Sequence, residues 1–172
     1  MDEFGHAPAG IDPTIPNIAR MYDYYLGGKD NFPADRQAAE QTLKAFPNAR
    51  IAARANRAFL HRSTRYLAAE AGIRQFLVRR YLDALPAGSY LALSHGTPDF
   101  APEECARTAE IYRQQGIQGM ARTRAEVERF FDGLELVEPG IQVVHRWRPD
   151  GTDPDGLTDA QISLYGAVAR IP

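Results

Sequence analysis

The run from Arg74 to His95, RQFLVRRYLDALPAGSYLALSH, offers nothing that could turn the chain before Asp83. Glycine, proline, asparagine and aspartate are the usual punctuation between a strand and a helix, and none occurs from Ile73 to Leu82. The apolar positions Ile73, Phe76, Leu77, Tyr81 and Leu85 fall in steps of three, one, four and four, and Val78 and Leu82 widen the stripe. That is a helical period. The spacing predicts one continuous helix over roughly 74–85, and an extended conformation at Gln75–Leu77 would refute it. A turn at Pro86–Gly88 follows, then a strand from Ser89 to about Ser94 that enters a loop at His95.

On either side of this run the pattern changes character. Upstream, TIPNIARMYDYYLGG reads as a short helix with Thr14 as its cap, Pro16 in its first turn and Gly27 at its stop. Its apolar face is Ile18, Met21, Tyr22 and Tyr25. After the loop GGKDNFPADR, a second helix runs from about Asp35 to Pro47 and carries Ala38, Ala39, Leu43 and Phe46. From Asn48 the longest helical pattern in the chain places Ile51, Ala55, Ala58, Phe59, Arg62, Tyr66 and Ala69 on one face, and Gly72 closes it.

Downstream, PEECARTAEIYRQQG is a helix ending near Gly116. Thr123 and Glu126 stand in capping-box spacing at the head of another helix, which reaches Phe131. LELVEPG and IQVVHRWRP read as two strands hinged at Pro139 and Gly140, with His145 and Trp147 alternating on the second. ISLYGAVARI reads as a last strand. Helices first and a strand-rich second half make the fold class α/β.

Composition closes several routes. At 172 residues, 44% of them apolar and 24% charged, the chain suits one soluble globular domain able to bury about two-thirds of its unfolded surface. No apolar run approaches the roughly 20 residues of a membrane span, so no membrane is expected. The acidic, proline-bearing N-terminus lacks the basic and apolar regions of a secretory signal, which gives a cytoplasmic expectation. Cys105 is the single cysteine and the four histidines lack ligand spacing, so no metal is expected. The net charge of −2 gives no electrostatic reason to bind nucleic acid. The cluster Arg54, Arg57, Arg62 and Arg65 reads as a solvent-facing helix side, and His61 sits among those arginines.

The candidate chemistry is concentrated in YDYYLGGKDNF. Gly27 and Gly28 would let the backbone approach a ligand, around which Tyr22, Asp23, Lys29 and Asn31 supply a phenol, a carboxylate, an ammonium and an amide. The structural alternative is a helix stop followed by an exposed polar loop. His95, at the strand end where open α/β sheets place ligands, is the candidate catalytic residue, as a base or acceptor-positioning group. Its alternative is a loop histidine that satisfies nearby backbone. Cys105 has no histidine beside it in PEECAR, which argues against a nucleophile.

Two stretches carry a resemblance. IARMYDYYLGGKDNFPADR with NARIAARANRAFLHRSTRYLAAEAGIRQFL resembles the N-terminal part of an actinobacterial family of S-adenosylmethionine-dependent methyltransferases, formerly a domain of unknown function. LDALPAGSYLALSHGTPDF and FFDGLELVEPGIQVVHRWRPDG…YGAVARIP are similar to its C-terminal part. The resemblance implies S-adenosylmethionine as cofactor and a small-molecule methyl acceptor. It also implies that the loop of Tyr22 to Asn31 lines a substrate or cofactor pocket, and that QFL is the first strand of a Rossmann-like sheet running into a D-x-G-x-G turn.

No G-x-G occurs anywhere in this chain. Set against that resemblance, the sequence is expected to divide into a tail over residues 1–15, an N-terminal helical cap over 16–72, and over 73–172 the C-terminal remainder of a Rossmann-like methyltransferase sheet, with a join at 77/78 where the resemblance implies that a central cofactor-binding segment is missing. In that arrangement the strand Tyr90–Ser94 lies toward the centre and the two C-terminal strands complete an edge. Its inner edge is left uncovered, which points to a homodimer or to poor stability. Two functions follow: a methyltransferase impaired by loss of the glycine-rich loop, or a non-catalytic remnant acting as an interaction module.

Overall fold

The structure, a computed structural model, describes residues 10–71, 86–117 and 119–172. The join at 77/78 and the helix expected over 74–85 lie outside the described residues. Three helices form the cap: α1 (Ile18–Tyr25), α2 (Pro33–Ala45) and α3 (Ala49–Arg65), the last continuing as a π-helical turn over Tyr66–Glu70. β1 (Tyr90–Gly96) and α4 (Pro102–Gln114) follow. Next come α5 (Arg124–Glu128) with a 3-10 turn (Arg129–Phe131), the short strands β2 (Glu135–Leu136) and β3 (Gln142–Val143), α6 (Asp159–Ile162) and β4 (Leu164–Arg170).

The sheet corrects the expected strand placement. β4 is the central strand, and β1, β2 and β3 all pair with it antiparallel, with β1 along its whole length from Tyr90 opposite Arg170 to Gly96 opposite Leu164. The last strand of the chain has inserted between earlier ones, so it is buried from Tyr165 to Ala169. Among the described residues no strand covers the outer edge of β1. One face of β4 meets α3 at Gly166, where an added Cβ would come within 2.8 Å of Val144 Cγ1 and 2.9 Å of Phe59 Cζ. Glycine there is what lets α3 lie directly on the sheet.

The larger core joins the two halves. Phe59 of α3 meets Trp147 edge to face, with centroids 5.4 Å apart, and Val127, Phe131, Ile162 and Val168 complete the surroundings. Beside the tryptophan, the Arg62 side chain is buried. Its Nε donates to Trp147 O (2.8 Å), one terminal nitrogen to Val144 O and the other to Asp153 (2.9 Å). Arg62 thus departs from the solvent-facing arginine cluster: it is in phase with Phe59 and clamps the cap to the C-terminal half. A second core, inside the cap, packs Met21 and Tyr25 on Ala38, Ala39, Ala49 and Ala53.

Local capping differs from expectation at three places. Asn17, not Thr14, caps α1 by accepting from Ala19 N, while Thr14 is bound up with Asp12. α2 begins two residues early, at Pro33, and its first turn holds the fully buried Asp35. His145 and Trp147 lie in and just after a 3-10 turn over Val144–Arg146, not on a strand. A run of β-branched and aromatic residues suits either conformation, and the Arg62 bonds to Val144 O and Trp147 O fix the turn. The Thr123–Glu126 capping box forms as its spacing indicated, and Gly27 ends α1 with φ of 82°.

Candidate functional site

A cleft of about 470 Å³ opens where the C-terminal end of β1 meets the cap. Alanines make the space: Ala49, Ala52 and Ala53 on α3 face Ala101 and Ala109 at α4 across it, and larger side chains at those positions would fill it. Tyr22 and Tyr25 of α1, Phe46 and Tyr112 add aromatic surface, and Ser94 to Thr97 form the strand end. Among the described residues that line it there is no aspartate, glutamate, lysine or arginine.

The polar atoms of the wall are the informative ones. The Tyr22 hydroxyl donates its only proton to Ala53 O (2.9 Å), so toward Asn56 it can only accept, and Asn56 Nδ2 donates to it at 3.2 Å. This fixes the carboxamide and leaves Asn56 Oδ1 as a buried acceptor with no partner among the described residues. Thr108 Oγ1 and the Tyr25 hydroxyl share that condition; the latter lies near Thr42 and Tyr112 without a bond of normal geometry. Each unpaired buried group of this kind costs roughly 1–3 kcal/mol. Burial pushes the pKa of the Tyr25 and Tyr112 phenols up, so both stay protonated. Trp147 Nε1 and His145 Nδ1 also have no partner among the described residues but do not line the cleft.

Of the residues singled out from the sequence, Tyr22 and His95 line the cleft. His95 lies within β1 and not in the loop beyond it. Its Nδ1 lies 2.9 Å from Gly96 O, an acceptor, so it carries the proton; its Nε2 accepts from Arg122 at 2.5 Å. The ring stacks on Phe130, over which Arg122 also sits. Both imidazole nitrogens are therefore engaged by protein.

The polar loop is closed on itself. Asp23 Oδ2 accepts from Asp30 N (2.9 Å) and Asn31 Nδ2 (2.8 Å), and the Asn31 amide also reaches Gly28 O (3.0 Å). A Cβ at Gly28 would fall 1.9 Å from Asp23 Oδ1, so the glycine is required by the Asp23 carboxylate itself. Gly27, Gly28 and Lys29 are exposed and do not line the cleft. The sequence reading passed over Asn56 and Thr108. Asn56 had a legible signal, since a carboxamide at a helical position four residues from Ala52 and one turn before Leu60 sits beside an apolar stripe. Thr108 had none. Cys105 lines the cleft, and burial pushes its thiol up, consistent with an unreactive side chain.

The model of the S-adenosyl methyltransferase family matches residues 5–79 and 77–172. The chain belongs to that family. Its fold matches the crystal structure of a DUF574 family protein from Streptomyces avermitilis with a TM-score of 0.87 and 31% identity, covering 94% of this chain and 99% of the other. It matches a proposed methyltransferase from Thermobifida fusca with a TM-score of 0.82 and 27% identity, covering 97% and 99%. No curated protein matches the sequence. The α/β class, with its helical cap and methyltransferase-type sheet, is thereby established. No described helix is long and apolar enough to cross a membrane, and no group of metal-binding side chains occurs among the described residues.

Proposed function

We propose that this member of the methyltransferase family binds a small, uncharged molecule in the cleft at the end of β1, the acceptor side of the family's reaction, and is impaired in methyl transfer on its own. The observation that carries the reading is the absence of any charged side chain among the described residues lining the cleft. S-adenosylmethionine brings an amino-acid carboxylate and ribose hydroxyls, which dinucleotide-type folds meet with a glycine-rich turn and an acidic residue. The chain has no G-x-G, and the described residues that line the cleft offer neither a cation nor a carboxylate, so they do not fit that cofactor. The two matched stretches meet at residues 77–79, which supports a join at 77/78.

What the chain's own residues can do is bind and orient. Tyr22 and Asn56 form a fixed polar corner, His95 is held on Phe130 and Arg122 as a positioning group, and Phe46 and Tyr112 supply apolar surface. The loop of Asp23 and Asn31 keeps α1, and hence Tyr22, in place. Calorimetric titration with S-adenosylmethionine and S-adenosylhomocysteine tests the reading. A folded chain giving no heat is the expected result, and micromolar binding would overturn it.

A second reading rests on a different observation, the outer edge of β1, which no strand covers among the described residues. Pairing of two copies along that edge would make the chain a homodimer. Light scattering at two concentrations decides it: a mass near twice 19.1 kDa supports the dimer, and a constant single mass removes it.

A further inference from the structure

We propose that α4 is a hinged lid over the cleft, fixed to the strand end at its N-terminal side and able to lift from the cap at its C-terminal side. Cys105, Thr108, Ala109 and Tyr112 of α4 form one wall of the cleft. The helix is 13 residues long and buries none of them, whereas α2, of equal length, buries Asp35, Ala38, Ala39, Thr42 and Ala45. A helix that buries so little is held by what its two ends touch.

The two ends are held in different ways. Ahead of the helix, Asp99 Oδ2 accepts from the Tyr165 hydroxyl (3.1 Å) and from Arg124 N (2.9 Å), and Asp99 N donates to Oγ1 of the buried Thr97 (3.2 Å). Phe100 meets Tyr165 edge on, with centroids 5.4 Å apart, against the larger core. At the far end α4 rests on α2 and the cap core through Tyr112 and Ile117. That contact is poorly matched. The Tyr25 hydroxyl beside Tyr112 and Thr42, Thr108 Oγ1 one turn before Tyr112, and Gln115 Oε1 are all buried without a partner among the described residues.

Lifting the far end lets water reach those three groups, which offsets the apolar contact that is lost. Opening at the strand end would instead break bonds that are already satisfied, so the hinge lies there. The chain also has room for the motion: it is tied back to the strand end at Arg122 N, which donates to Gly96 O (2.9 Å), and Gly116, with φ of 69°, and Gly119 fall between α4 and that tie. Such a movement opens the cleft on the Tyr112 side, whatever molecule the cleft takes.

The test compares two thiols. Thr42, beside Tyr112, and Thr97, behind the hinge, are each 1% exposed, and each can be replaced by cysteine, of nearly the same size, in a Cys105→Ser chain. Below the urea transition, Thr42→Cys is expected to react with dithionitrobenzoate at least about tenfold faster than its own global unfolding allows. Its rate should depend little on urea, because lifting α4 exposes little surface. Thr97→Cys should react only through global unfolding, with the full urea dependence. Thr42→Cys reacting only through unfolding would overturn the lid, and so would fast reaction at Thr97→Cys.

Hydrogen exchange decides the same point in the unaltered chain. A helix of this length is marginal in water once released, so the amides of 106–114 should exchange with little urea dependence while those of β4 follow global unfolding. One steep dependence shared by both segments would overturn the proposal. Both measurements are made without ligand, so binding of S-adenosylmethionine would overturn the impaired-transfer reading and leave the lid standing.

Discussion

The polar loop after α1 and the cleft wall a few residues away treat the same kinds of side chain in opposite ways. In the loop, the Asp23 carboxylate is consumed by Asp30 N and Asn31, and at the start of α2 the buried Asp35 takes Asn17 N, Phe32 N and the Arg20 guanidinium, each within 2.8 Å. In the cleft, Asn56 Oδ1, Thr108 Oγ1 and the Tyr25 hydroxyl are buried and unmatched among the described residues. Polar groups that satisfy one another hold the cap in shape. Those left over lie in the wall of the cleft and hold nothing together.

Removing members of the two sets should therefore have opposite consequences. The largest effect is expected for Asp35→Ala, which strips three charge-assisted bonds from a fully buried carboxylate and strands Arg20; urea denaturation should show a loss of about 3 kcal/mol. Gly28→Ala should cost about 2 kcal/mol by the same measurement, because the new methyl occupies the space of the Asp23 carboxylate and forces the loop open. If Gly28→Ala proves neutral, the loop is not closed in the way described.

Acid should act in a smaller and graded way through His145. Burial holds its imidazole below the ordinary value of 6.5, outweighing the pull of Asp159 3.6 Å away. The unfolded chain then binds the proton more readily than the folded one. The contribution is complete above about pH 6.5 and is lost as pH falls through the lower folded value. Thermal unfolding between pH 7 and 5 should show this decline, and His145→Gln should flatten it. The smallest effect is expected at Tyr25→Phe. Deleting a buried hydroxyl without a full partner should change stability by less than about 0.5 kcal/mol, or raise it, and a loss above about 1 kcal/mol would place Tyr25 among the satisfied groups.

Much of the cap was legible in the sequence because its signals are local. The Gly27 stop, the buried Ala38 and Ala39 of α2 and the pairing of Ala55 with Phe59 on α3 each depend on residues within one or two turns of each other, as does the Thr123–Glu126 box outside the cap. Family membership was legible from YDYYLGGKDNF and the C-terminal strings, and the matches over 5–79 and 77–172 agree with it. The sheet order was not, since the insertion of β4 beside β1 depends on pairing between residues some 70 positions apart, as Ser94 with Gly166 shows.

Arg62 was half legible. Its phase with Phe59 pointed inward, while its company of arginines pointed outward, and the carbonyls of Val144 and Trp147 decide between them. The cleft was the least legible part. Its walls come from α1, α3, β1 and α4, and its character lies in what is missing, charge and hydrogen-bond partners, which no stretch of sequence displays.

On the proposed function, the cleft at the end of β1 takes a small, uncharged molecule and not the sulfonium cofactor. Nitrogen-15 labelled chain, titrated in parallel with 7-hydroxyflavone as a phenol probe and with S-adenosylhomocysteine, tests it at the residues concerned. The expected result is that the amide signals of Asn56, Thr97 and Thr108 move with the phenol and stay still with the nucleoside. Movement of those three signals with S-adenosylhomocysteine, or none with the phenol, would contradict it.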